Sequence, residues 1–228
     1  MAKFESGKYF CPLWPIKRIL NFCPHDKKQE LMIQIEKNIE ELRKTYGGKA
    51  KSIRNPKLPI KFSPTLCRII GHVIGDGEIR QNYSVHYTNQ SKFLTRQFEQ
   101  DVIKVFGDMK AYEYYNKDDK THNVVFPSIV GLILVTFIGQ MVRSSKHIPD
   151  KIFHLDKQNK RLFLRALFDD ESSVSVSKHT IEFSMTNKII VEDVREILRE
   201  FDIRPDKSQK KMESHHKKEK LRRLIRNY

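Results

Sequence analysis

Two carboxylates in matching surroundings are the residues of this chain best placed to do chemistry. Asp76 lies near the end of "IIGHVIGDG" at 69–77 and Glu171 near the end of "LRALFDDES" at 164–172. Each acid follows an apolar run with helical spacing. Carboxylates are hard oxygen donors that suit Mg²⁺, an ion that keeps part of its water shell and contacts phosphate oxygens. Delivered to one place by a repeated element, they would form a two-fold metal site. Such a site matches the two antiparallel strands of a duplex, where water attacks each scissile phosphodiester and the cation stabilises the leaving oxygen. One such acid alone reads more simply as a solvated helix end; its recurrence favours the site.

The elements that would position these acids are two small-faced helices. Gly71 and Gly75 lie four residues apart on one face, and Ala166 takes the place of Gly71 in the second copy. Small residues let two helices approach closely, which would bring Asp76 and Glu171 together. Both acids would then stand at helix C-termini, where the macrodipole disfavours negative charge and each repels the other; a divalent cation relieves both penalties. Asp170 occupies the position of Gly75. Either it forces a charge into the tight contact, where an unpaired carboxylate is costly, or it helps to hold the metal.

The surrounding pattern predicts an α+β fold. Ser63-Pro64 reads as the N-cap and first residue of a helix over about 64–75. Strands follow near 78–81 and 83–88, a helix at 91–106, strands near 109–115 and 121–126 joined by "KDDK" at 117–120, and a helix at 128–138. This αββαββα unit, 61–158, is followed by a second over 159–204 with a helix, strands near 173–177 and 180–185, and a helix from about 188 to 200. The second unit then stops matching. Residues 205–228 form a basic tail without alternating apolar residues, read as a basic helix or a disordered arm. Residues 1–60 read as an accessory segment and basic linker, with a helix capped by Asp26 that carries Leu31, Ile35, Ile39 and Leu42 and ends at Gly47 and Gly48.

Composition narrows the partners. The 228 residues hold 43 Lys and Arg against 28 Asp and Glu, a formal charge of +15. A polyanion is the natural partner, since each phosphate contact releases condensed counterions. The three cysteines, Cys11, Cys23 and Cys67, are an odd number, so an intracellular protein without a disulfide framework is expected. The longest apolar run, 128–139, is too short for a membrane helix. Cys11, Cys23 and His25 have an unusual spacing for zinc, and idle cysteines are the simpler reading. His215 and His216 read as solvated.

The paired "IIGHVIGDG" and "LRALFDDES" resemble the two LAGLIDADG motifs of single-chain homing endonucleases, especially the archaeal and intein-associated type. The resemblance runs over about 58–204 and includes "KHIPDKIF" at 146–153, similar to that family's Lys-x-Ile-Pro block. It implies a pseudo-two-fold repeat of αββαββα units, the second incomplete, with Asp76 and Glu171 as metal-binding acids. It also implies Lys146 as an active-site lysine that stabilises phosphate charge or polarises water. The sheets of that family form a saddle on duplex DNA, which points to Arg80, Gln81 and Tyr83 in the first unit and Ser175, Ser177 and Lys178 in the second as DNA-facing residues. His72 stands where the family has an apolar residue, Glu171 is one methylene longer than the usual Asp, and Ser172 replaces the final glycine.

The resulting expectation is a monomeric, Mg²⁺-dependent, site-specific endonuclease of double-stranded DNA from an intron- or intein-associated element. The alternative keeps the fold without cutting, as a maturase-like RNA binder or a regulator. The first and last residues lack the Cys or Ser opening and the His-Asn close of a self-splicing element, so splicing is not expected.

Overall fold

A computed structural model describes residues 16, 18, 20–44, 51–139, 147–206 and 218–222. Helix α1, His25–Lys37, ends ten residues before the predicted glycine stop. Asn38 closes it: its side-chain amide donates to the Gln34 carbonyl at 2.7 Å, and its backbone N–H also turns back onto the helix. Leu42 therefore leaves the helical stripe for strand β1, Glu41–Leu42, which pairs with β2, Ile53–Arg54. The segment expected to be an accessory linker is stitched into the first unit. Ile53 is fully buried, and Arg54 and Asp108 exchange backbone hydrogen bonds at 2.7 and 2.8 Å. Gly107 makes this contact possible: its φ is +117°, and a Cβ there would lie 2.6 Å from the Asn55 carbonyl oxygen.

Helix α2, Pro64–Ile74, starts as the sequence indicates, with Ser63 Oγ accepting from the Leu66 N–H at 3.2 Å and Pro64 at the first position. It feeds β3, Gly77–Ile79, and β4, Val85–Asn89, then α3, Lys92–Phe106, capped by Ser91. Strands β5, Tyr112–Asn116, and β6, Thr121–Phe126, complete an antiparallel sheet of order β3-β4-β6-β5. Period-two alternation divides its faces: Val85, Tyr87, Val124 and Phe126 point inward onto Phe98 of α3. Burial of a large apolar side chain stabilises by roughly 1.5–3 kcal/mol, so this inner face anchors the unit. Helix α4, Ser128–Ile138, closes the unit with Ile129, Val130 and Leu134 buried.

The second unit follows the short helix α5, Asp150–Phe153. It opens with α6, Lys157–Glu171, capped by Asp156, and runs directly into β7, Ser172–Ser175, β8, Thr180–Ser184, and α7, Lys188–Arg199. Ser172 opposes Phe183 in the second ladder as Gly77 opposes Tyr87 in the first, so the two sheets share one frame. The stretch after Pro205 departs from its predicted character as a helix or arm. Residues Lys218–Arg222 form β9, antiparallel to β8 from Thr180↔Arg222 to Ser184↔Lys218, in the place that β6 takes beside β4. Pairing with a waiting strand edge, rather than hydrophobic alternation, makes this segment a strand. Among the described residues, no helix is long and apolar enough to cross a membrane.

Candidate active site at the paired helices

Helices α2 and α6 meet through the small residues that the sequence singles out. A Cβ on Gly71 would come within 2.5 Å of the Phe163 carbonyl oxygen and 2.8 Å of Ala166 Cβ. A Cβ on Gly75 would come within 2.9 Å of Asp170 Cβ. The two backbones are therefore as close as glycine and alanine allow.

Asp170 fills the space beside Gly75 as a buried, partnered carboxylate. Its side chain is 0% exposed, as is that of His72. The Tyr87 hydroxyl donates to Asp170 Oδ1 at 2.6 Å, and His72 Nδ1 lies 3.0 Å from Oδ2. A carboxylate only accepts, so the imidazole hydrogen sits on Nδ1. Burial, followed by the adjoining Asp170 charge, pushes the Tyr87 phenol far above its ordinary value and keeps it a donor. The Asp76 backbone nitrogen stands 3.4 Å from Asp170 Oδ2. Of the two roles open to Asp170 in the sequence, the geometry favours the buried contact, because both oxygens are spent inside the interface. His72 is its partner there.

Asp76 lies just past the end of α2 with an exposed side chain, and Asn89 Nδ2 donates to its Oδ2 at 2.7 Å. Its carboxyl is pushed up to about 6, chiefly by the surrounding protein and then by the Asp170 charge, against the lowering effect of Asn89. A carboxyl so placed gains from any cation that takes the proton's place. Glu171 is the last residue of α6 and is partly exposed. The two helices end differently: α2 stops at Ile74, whereas α6 runs through Glu171, with Ser172 Oγ donating to the Phe168 carbonyl at 2.6 Å. Among the described residues, no cluster of three or more His, Cys, Asp or Glu is assembled to enclose a metal. As donors, the carboxylates of Asp76 and Glu171 suit a hydrated Mg²⁺, which binds through one or two carboxylates, and do not suit a closed zinc site.

A family model described as the LAGLIDADG-like domain matches residues 158–227, from the start of α6 through β9. The fold is shared with the crystal structure of I-DmoI in complex with DNA and Mn, at a TM-score of 0.51 and 14% identity over 71% of this chain and 90% of that one. Residues 158–227 thus match a LAGLIDADG-like domain, and the chain has the fold of that structure. Full-length DUF199/WhiA from Thermatoga maritima has the same fold at a TM-score of 0.53, with 12% identity over 75% of this chain and 54% of that one. In sequence, the chain is 28% identical over 145 residues to the replication factor C small subunit of Methanocaldococcus jannaschii, covering 62% of this chain and 8% of that protein. It is 24% identical over 186 residues to the glutamine--fructose-6-phosphate aminotransferase of the same organism, covering 74% and 16%. The chain thus spans under a fifth of either relative.

Around this interface the other sequence-predicted residues are dispersed. Arg80 and Gln81 are exposed at the turn between β3 and β4, with Arg80 Nε donating to Glu78 at 2.6 Å. Tyr83, which the sequence pattern puts on a strand, instead lies before β4, with φ +67°, half-buried beneath the Lys44 ammonium. That left-handed turn residue faces the arm rather than the open sheet. Ser175 ends β7, while Ser177 and Lys178 are exposed in the following turn. Lys146, Cys11, His215 and His216 lie outside the described residues. Cys23 is half-buried and in no disulfide. Sequence reasoning missed Asn89 and Tyr87 in the site. It also missed the outward face of the first sheet, where His86, Thr88, Tyr112 and Tyr114 alternate with the buried set. The signal was alternation, usable once the strand register was fixed by one residue.

Proposed function

We propose that the protein is a divalent-metal-dependent endonuclease of double-stranded DNA. The observation that supports this reading is the tight packing of α2 on α6 through Gly71 and Gly75, the two helices whose ends carry Asp76 and Glu171. Asp76 and Glu171 would hold Mg²⁺, which when bound supplies Lewis-acid activation and charge neutralisation at the phosphodiester. Asn89 orients the Asp76 carboxylate, and the His72–Asp170–Tyr87 group fixes the backbone from which Asp76 projects. Lys146, in the block that resembles the family's Lys-x-Ile-Pro segment, would supply the cation for developing phosphate charge. The +15 charge and the open outward face of the first sheet suit a duplex.

The two relatives compared above are named for unlike activities, and the chain spans 8% and 16% of them. This supports reading the shared stretch as a portable module of an intein- or intron-associated element.

The test is incubation of purified protein and Mg²⁺ with a library of duplex targets. Cutting that Asp76→Asn abolishes, with binding retained, is the expected result. Salt-sensitive binding without Mg²⁺-dependent cutting of any target would replace the enzyme by the binding protein of the same fold.

A further inference from the structure

The N-terminal segment that the motif leaves unexplained delivers two lysines to one end of the first sheet. Residues 40–61 contain seven Lys or Arg and two acids. Its described parts, 40–44 and 51–61, are held through β1–β2, buried Ile53, and the Lys57 N–H donating to the Phe106 carbonyl at 3.1 Å. From it, exposed Lys44 places its ammonium 4.5 Å from the centre of the Tyr83 ring and donates to the Asn82 carbonyl at 2.9 Å. Exposed Lys51 stands 5.5 Å over the Tyr112 ring. Both lysines line an open hollow of about 360 Å³ with Asn82, Val125 and Ser128.

The position of this hollow gives it meaning. Val125 opposes both His86 and Tyr112 in the ladders, so it belongs to the outward face. The hollow lies where β3 turns into β4 and β6 ends, whereas Asp76 and Asn89 meet at the opposite end of the same strands. At about 3.3 Å per residue, some five residues separate the two ends by roughly 17 Å, the length of about five base pairs along a groove. The ring faces hold both ammonium groups in place, and an ammonium has three donors, of which Lys44 uses one on Asn82.

Resting on the proposed DNA reading, we infer that Lys44 and Lys51 form an auxiliary phosphate clamp. It grips the duplex backbone at the outer end of the first unit's half-site, well away from the scissile centre. The clamp contributes affinity without sequence preference, because phosphates carry none.

The experiment measures binding of the full chain to a randomised duplex, longer than the sheet, across a salt series, for the wild type, Lys44→Gln, Lys51→Gln and the double variant. Lys104→Gln, on the helix behind the sheet, is the control. Removing one lysine–phosphate pair flattens the slope of log K against log salt by about 0.9, so the double variant is expected to be shallower by about 1.8, with the control unchanged. An unchanged slope in the double variant overturns the clamp, as does an equal change in Lys104→Gln. If the wild type binds no duplex, the underlying reading fails instead, and the two failures are distinct.

Discussion

Replacing Tyr87 with phenylalanine isolates one bond of the buried group. The ring is fully buried, 4.6 Å from Phe98 and 5.1 Å from His72, centre to centre, and a phenylalanine keeps both contacts without opening a cavity. What disappears is the hydroxyl donor 2.6 Å from Asp170 Oδ1, leaving the carboxylate with His72 and the longer contact from the Asp76 backbone N–H. A buried hydrogen bond to a charged acceptor is worth about 1.5–3 kcal/mol, so a loss of about 2 kcal/mol is expected. With a urea m-value of about 2.5 kcal/mol/M, the unfolding midpoint falls by about 0.8 M. Urea titration followed by far-UV circular dichroism reads this directly. Asp170→Asn completes a double-mutant cycle, with a coupling energy above about 1 kcal/mol expected for groups in contact. A Tyr87→Phe midpoint indistinguishable from wild type, together with no coupling, would refute the assignment of Asp170 as a carboxylate held across the interface.

Two further outcomes follow from the same packing. Gly71→Val sets a branched side chain against the Phe163 carbonyl, which belongs to the backbone and does not swing aside; a loss of about 3 kcal/mol is expected in the same urea titration, together with weaker cutting. Cys67 is fully buried, and burial, then the Asp156 charge, push its thiol up to about 12, so at pH 8 it remains protonated. Iodoacetamide is expected to leave it unlabelled in the native protein and to modify it in denaturant, with mass spectrometry as the readout; rapid native labelling would contradict the packing.

What the sequence made legible was local or periodic. Ser63-Pro64 marks a helix start because a cap bonds to the next turn, "KDDK" marks a turn because the chain reverses there, and Gly71, Gly75 and Ala166 mark a contact because helical spacing aligns them. The pairing of His72 and Tyr87 with Asp170 was hidden, because it joins residues 98 and 83 positions apart whose types alone allow many partners. β9 was hidden for another reason: its strand identity depends on the edge that β8 offers. The placement of Lys44 and Lys51 depends on Ile53 anchoring a segment whose composition reads as linker.

The buried carboxylate also governs which halves recognise one another. In the frame shared by the two units, His72 corresponds to Leu167 and Tyr87 to Phe183. Two copies of the second unit would press Asp170 against Asp170, with leucine and phenylalanine where donors are needed, a burial of like charges that neither could relieve. Two copies of the first would leave an unfilled gap between glycines and two imidazoles without an acceptor. Each half is therefore a poor match for itself and a good match for the other, so the chain excludes its own mirrored assemblies and folds on the one pairing that joins unlike acids.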